Sequence, residues 1–389
     1  MLDDGRPARP LRVLLVEHLS PTNEYARTLC DALCSLGVRV TVLCGTDAPG
    51  PWPRGCRAIR VFPGFDPGAR TAKLLRYVGA LLVLVFRLAC GDQDVVHVQS
   101  LRLAFTEWVP YRLLSWRRPI IVTVHNVAPH EGGFVRRLAH AQLYRSARGL
   151  VFHTRHSVDR LPARSLAPLV RRFVIPHFAY RVPEPSDLEQ AVCRRTLGLP
   201  DDVPVVLFFG LLRRYKGLDI LLRAYAAVLD EHPDALLVIA GKSVDQGDLD
   251  ECRRLIRGLV LTDRVVHHDR PIERAELGAY FRASDLVALP YRRIDQSGVL
   301  LMAYSWGRPV LASAVGGFLE AVRPGSTGFL FEAGNVQSAA AALSEALADR
   351  PRLERMGDEA RALAVGEYSV TEAARRTVEA YRELLRGEG

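Results

Sequence analysis

The chain has 389 residues and a formal net charge of +9, with 49% apolar and 24% charged side chains, a globular mix that can bury a sizeable core and favours two domains. The charge is uneven: residues 1–180 carry 25 Lys/Arg against 12 Asp/Glu, and residues 181–389 carry 27 against 31. So basic a front half suits an anionic membrane surface or a phosphorylated ligand, whereas its scattered cations form no nucleic-acid-binding module, so no nucleic acid partner is expected.

In chain order, a short polar leader runs into the strand-like "LRVLLVE" with no signal-peptide pattern. The loop that follows, Ser20-Pro21-Thr22-Asn23, contains no glycine, which argues against a dinucleotide fingerprint. "EYARTLCDALCSLG" reads as a helix, with Tyr25, Leu29, Leu33 and Leu36 on one face and Gly37 closing it. Further strands are expected at "VRVTVL", "DVVHVQ", "PIIVTVH" and "GLVFHT". The longest apolar run, Tyr77 to Phe86, has Arg70, Lys73, Arg76 and Arg87 around it. It is too short to span a bilayer and reads as a core helix, with a helix lying in a membrane surface as the alternative. Seven cysteines without a C-x-x-C pair read as free, mostly buried thiols of a cytoplasmic protein, at the inner face of the membrane if the second reading of that helix holds.

Three prolines and lost periodicity mark a linker near residues 175–190. Beyond it, strands are expected at "PVVLFFG", "ALLVIAG", "RVVHHD", "DLVALP", "PVLAS" and "TGFLF", and the last segment is a charged amphipathic helix. Alternating strands and helices in both halves predict an α/β protein of two Rossmann-like domains facing each other across a central cleft.

Two stretches carry chemistry. In "VVLFFGLLRRYKGLDILLRAYAAV", Gly210 ends a strand, Gly217 opens a helix, and Arg213, Arg214 and Lys216 lie between them. A guanidinium fork and a mobile ammonium suit a diphosphate; the plain alternative is a solvated basic loop. In "LPYRRIDQSGVLLMAYSWGRPVLASAVGGFLE", Ser297 and Gly298 precede a helix beginning at Val299, and its free amides suit an anion unless Ser297 is an ordinary cap. The D-x-D spacings at Asp92–Asp94 and Asp248–Asp250 read as solvated acids, and no metal site is expected.

Together these stretches, with "VTVHNVAPHE" and "VFHTRHSVDRL" in the front half, resemble family 4 of the retaining glycosyltransferases, in the branch reading F-G-x-[IL]-R-x-Y-K-G and Q-S-G-V. The resemblance covers nearly the whole chain and implies a GT-B fold. An acceptor domain would span 1–180, a nucleotide-sugar domain 185–369, and a final helix, about 370–386, would return to the first domain. It implies transfer of a hexose from a UDP- or GDP-sugar to a hydroxyl of a sugar, a lipid-linked saccharide or a small molecule. The transfer would retain configuration and use neither metal nor cofactor.

By the same resemblance Arg213 and Lys216 clamp the departing diphosphate, and Gly210, Ser297, Gly298 and Val299 line the donor. Pro271 and Ile272, after Arg270, fall in the base-reading turn. His125, otherwise a core histidine at a strand end, meets the transferred sugar; Thr22, Asn23 and Glu131 lie on the acceptor side. The E-x7-E pair of many relatives is absent. Its slots hold Ile294 and Met302, and only Asp295, one residue from the first, could replace the first carboxylate as a donor-binding residue. That departure keeps two other readings open, a non-catalytic sugar-nucleotide-binding partner subunit and a nucleotide-sugar epimerase.

Overall fold

A computed structural model describes residues 9–18, 24–47, 51–63, 70–100, 104–125, 134–161, 169–182 and 189–387. The chain divides into two units, Met1–Pro176 with Val370–Gly389, and His177–Ser369.

In the first unit the elements run β1 (Arg12–Val16), α1 (Glu24–Ser35), β2 (Arg39–Gly45), β3 (Cys56–Phe62), α2 (Arg70–Cys90), β4 (Val95–Val98), α3 (Ala104–Leu114), β5 (Ile120–Val124), α4 (Phe134–Ser146), β6 (Gly149–Phe152), α5 (Arg155–Arg160) and β7 (Arg171–Val174). The strands pair in parallel in the order β3-β2-β1-β4-β5-β6-β7. The central strands β4, β5 and β6 are buried along their whole length, as expected where helices cover both faces of a parallel sheet. Two strands were not foreseen, and both lie at the sheet edges. β3 carries two arginines and leaves most of its side chains partly or fully exposed, and β7 has only four residues, two of them exposed arginines. An edge strand covered on fewer sides needs no continuous apolar run, so its pattern is weak.

The second unit contains α6 (Gln190–Thr196), β8 (Val205–Phe209), α7 (Leu218–Val228), β9 (Leu236–Ala240), α8 (Gln246–Gly258), β10 (Val265–His268), α9 (Leu277–Ala283), β11 (Leu286–Leu289), α10 (Gly298–Ser305), β12 (Val310–Ser313), α11 (Phe318–Ala321), β13 (Gly328–Phe331), α12 (Val336–Leu347) and α13 (Arg350–Val365). All six strands expected from the sequence form one parallel sheet, ordered β10-β9-β8-β11-β12-β13. Strand order reverses between β8 and β11, so the crevice where such sheets bind ligands lies beside the loops that follow those two strands.

Two expectations need amendment. The stretch read as a linker begins packed: Phe178 and Ala179 are buried, and the Ala179 amide donates to the Tyr368 carbonyl at 2.7 Å. The acids of the first D-x-D are ion-paired rather than simply solvated. Asp94 accepts from the Arg12 amide and Arg9, and Asp92 pairs with Arg12, all at the start of β1. The second D-x-D lies on α8, where Asp248 is half-buried, Asp250 is exposed and Asp250 accepts from Gln246.

The last helix, α14 (Val370–Arg386), belongs to the first unit. Its buried face includes Ala374, Val378, Tyr381 and Leu384; Leu384 lies over Gly149 of β6, and Arg171 of β7 donates to the Glu383 carbonyl.

Candidate active site

Gly210 follows β8 with φ of +99°, a conformation that favours glycine, and a Cβ there would fall 2.7 Å from the Lys216 Nζ. Downstream, the Leu212 amide donates to the Lys242 carbonyl at 3.0 Å, tying the loop to the turn after β9. A single 3-10 turn, Arg214–Lys216, then leads to Gly217, with φ of +68°. A side chain at Gly217 would collide with the Pro290 carbonyl at the end of β11. Only glycine therefore lets the two motif loops meet. They are clasped further by the Arg292 amide, which donates to the Tyr215 carbonyl at 2.7 Å, and by the Arg292–Asp219 ion pair at 2.6 Å.

Lys216 is 7% exposed, its Nζ donating to the Phe209 carbonyl at 3.3 Å and lying 5.4 Å from the centre of the Tyr291 ring. Burial, with a smaller contribution from Arg213, lowers its pKa to about 8. Arg213, half-buried, caps the 3-10 turn in extended conformation. Neither cation has a carboxylate partner among the described residues.

The second loop delivers the start of α10. Ser297 is indeed its N-cap, its Oγ accepting from the Leu300 amide at 3.4 Å. That leaves the Gly298 and Val299 amides without an acceptor among the described residues, at the positive end of the helix. Val299 Cγ2 is 3.7 Å from the position a Cβ on Gly210 would take. Gly210, Lys216 and the first turn of α10 thus share one neighbourhood. Asp295 is buried in the same loop. Ile294 and Met302, at the slots of the missing carboxylates, are partly buried and pack against the core. Pro271 and Ile272 lie apart, on the turn after the edge strand β10; Pro271 is exposed and Ile272 packs on the core. Beside them Arg270 forms a two-pronged ion pair with Glu276.

At the C-terminal edge of the first sheet, His125 follows β5 and joins a chain of polar side chains. His153, after β6, has Nδ1 3.0 Å from the Ile175 carbonyl and Nε2 3.2 Å from His125 Nδ1. A carbonyl only accepts, so His153 carries its proton on Nδ1 and accepts from His125 through Nε2. Burial keeps His153 neutral, lowering its pKa to about 4. His125 Nε2 faces the Gln99 carboxamide at 3.3 Å, whose other end is 3.0 Å from His97 Nε2. His97 in turn meets Thr123 Oγ1 at 2.8 Å and the Tyr381 hydroxyl at 2.6 Å, and burial lowers its pKa to about 3. Because the carboxamide presents an acceptor or, rotated, a donor, Gln99 can satisfy His125 in either protonation state.

Gln99, His153, His97 and Tyr381 are the residues the sequence reading missed. The available signal was a polar residue at or near the C-terminal end of an otherwise apolar strand, in "DVVHVQ" and "GLVFHT". Thr22, Asn23 and Glu131 lie outside the described residues. Among the described residues no group of three or more His, Cys, Asp or Glu could hold a metal ion, and no helix is long and apolar enough to cross a membrane.

The sequence profile of the family Glycosyl transferases group 1 matches residues 190–363, and that of the Glycosyl transferase 4-like domain matches residues 22–177. A D-inositol 3-phosphate glycosyltransferase 1 of Catenulispora acidiphila is 33% identical over 345 residues, covering 83% of this chain and 78% of the relative. The chain belongs to the group 1 glycosyltransferases. A second relative of this glycosyltransferase, the D-inositol 3-phosphate glycosyltransferase of Corynebacterium aurimucosum, is 30% identical over 87% of the chain and 85% of its own length. Among solved structures, sucrose-phosphate synthase of Thermosynechococcus elongatus superposes with a TM-score of 0.74 at 22% identity, over 97% of this chain and all of the other. Anabaena HepE in complex with UDP and glucose does so with 0.74 at 21% identity, over 96% of this chain and all of its own. The glycosyltransferase therefore has the GT-B fold, with two Rossmann-like parallel sheets of seven and six strands.

Proposed function

We propose that this glycosyltransferase moves a hexose from a nucleoside diphosphate sugar, UDP- or GDP-linked, to a hydroxyl of its acceptor, with retained anomeric configuration and without a metal ion. The observation that carries this reading is the buried ammonium of Lys216, unpaired with any carboxylate among the described residues, beside the open first turn of α10. A buried cation without a counter-ion is costly, and an anionic ligand removes that cost. The two charges of Arg213 and Lys216 balance the two of a sugar-linked diphosphate.

As the bond from the anomeric carbon to the phosphate oxygen breaks, negative charge collects on the diphosphate and positive charge on the sugar. Arg213, Lys216 and the Gly298 and Val299 amides favour that state over the ground state. The acceptor oxygen bonds to the anomeric carbon on the face the phosphate leaves, and its proton passes to the departing phosphate oxygen. Family resemblance assigns His125 to the transferred sugar, Pro271 and Ile272 to the base, and Thr22, Asn23 and Glu131 to the acceptor. The relatives named for D-inositol 3-phosphate make phosphorylated cyclitols the first acceptors to try.

A thermal-shift screen of UDP, GDP, dTDP and their sugars tests the donor, since a ligand bound only by the native state raises apparent stability. Transfer assays in EDTA, with the product's anomeric configuration read by NMR, test the rest. Full transfer by Lys216→Ala, or inversion at the anomeric carbon, overturns the mechanism. Donor binding without turnover against any acceptor favours the partner-subunit reading.

A further inference from the structure

Helix α2 has two apolar faces, and only one is used by the fold. At 3.6 residues per turn, Tyr77, Ala80, Leu84 and Leu88 share one side and are buried. Leu74, Leu75, Val78, Leu82, Val85 and Phe86 fall within about 120° of arc on the opposite side. All six are exposed, Leu75 to 73%. Next to this stripe, Leu113 of α3 and Trp116 just beyond it are also exposed, Trp116 to 69%, and Arg117 lies over the Trp116 ring while donating to the Ala89 carbonyl of α2. Arg117 thus ties Trp116 to the C-terminal end of α2. Patches of that kind on a water-soluble surface mark an interaction site.

The rim decides the partner. Arg76, Arg87, Arg112, Arg117 and Arg118 lie on these two helices and the turn after α3, and none pairs with a carboxylate among the described residues. α2 carries no Asp or Glu at all. Of the described acids nearest in sequence, Asp92 and Asp94 are engaged by arginines near β1, and Glu107 by His18 and Tyr77 inside the unit. A two-fold contact with a second copy would set this arginine rim against itself. A bilayer rich in anionic phospholipid accepts the leucines below its headgroups and neutralises the arginines at their level, and Trp116 with Arg117 is the amphipathic pair that settles at that boundary.

We infer that the α2–α3 face docks the protein on an anionic phospholipid surface. The inference does not depend on the donor or on turnover. Its test is co-sedimentation of the full chain with vesicles of equal parts phosphatidylglycerol and phosphatidylcholine, against phosphatidylcholine alone, at low and high salt. Pelleting with the anionic vesicles, weakened by salt, is expected. The double variants Leu82→Gln/Phe86→Gln and Arg76→Glu/Arg118→Glu should each weaken it about tenfold or more. Leu169→Gln, at a leucine 91% exposed elsewhere in the unit, should leave it unchanged. Circular dichroism verifies that each variant is folded. Equal binding to neutral vesicles, indifference to either double variant, or a salt-insensitive dimer dissolved by the same substitutions without vesicle binding overturns it.

Discussion

The second sheet holds buried cations at both of its ends, and the two ends treat them in opposite ways. Where the strands begin, Arg194 is fully buried and donates to Asp285 at 2.8 Å, to the Ala283 carbonyl at 3.0 Å and to the Asp201 carbonyl. Asp285 also accepts from the Val205 amide, pinning β8 beside β11. Arg308 donates to the Phe281 and Arg282 carbonyls, and burial lowers its pKa to about 10. Where the strands end, Lys216 has one long bond to a carbonyl and Arg213 has no partner among the described residues. Cations that hold a fold together arrive with their acceptors. Cations that lack them leave room for a ligand to supply the acceptors.

The sharpest way to break that contrast is to remove one cation from each end. Arg194→Ala removes the buried partner of Asp285, which keeps Gln190, the Val205 amide and a longer contact with Arg350 at 3.3 Å. Urea unfolding should show a loss of about 3 kcal/mol while donor affinity of the folded protein is retained. Lys216→Ala should do the reverse. Transfer falls by about 2.7–4 kcal/mol of barrier, read from kcat, with the urea midpoint unchanged or raised. If Lys216→Ala destabilises as Arg194→Ala does, the two ends do not differ and the ligand role of Lys216 is lost.

Titration sharpens the comparison further. Lys216 has its pKa lowered from 10.5 to about 8, so between those values the unfolded chain holds the proton and the folded one does not. Stability without ligand should therefore rise as pH increases from about 8 toward 10.5, and the cost of burying the charged amine is fully present below about 8. A bound diphosphate raises the pKa again, so binding takes up a proton. UDP affinity, followed by calorimetry, should fall by up to about tenfold per pH unit above 8, and Lys216→Ala should abolish that slope. The smallest effect is expected at the first sheet. His153→Phe removes the acceptor for His125 Nδ1 and costs about 1–3 kcal/mol of stability; if positioning His125 is its role, kcat drops more than KM rises and the pH profile moves.

The second sheet was legible because strands such as β8 and β9 are buried almost throughout, and a strand with no wet face must be written as an apolar run. β3 and β7 were not, since arginines on an edge strand can point to water without cost to the sheet. The donor loops were legible for a related reason. Gly210 and Gly217 bracket three cations directly after an apolar strand, and charge placed there stands out from the pattern around it. The histidine chain was not legible as a unit. Its members come from the ends of three strands and from the last helix, and His97 and Tyr381 stand 284 positions apart, where no local pattern links them.

The return of α14 makes the first unit discontinuous, and this bears on how it is made. Strands β1 to β7 leave the ribosome long before residue 381, so until then the His97 imidazole and the surface under Leu384 lack their cover. The second unit, contiguous apart from nothing but its own loops, can fold meanwhile. Translation therefore completes the N-terminal unit last, and a stop codon placed before α14 would damage the part of the protein synthesised first.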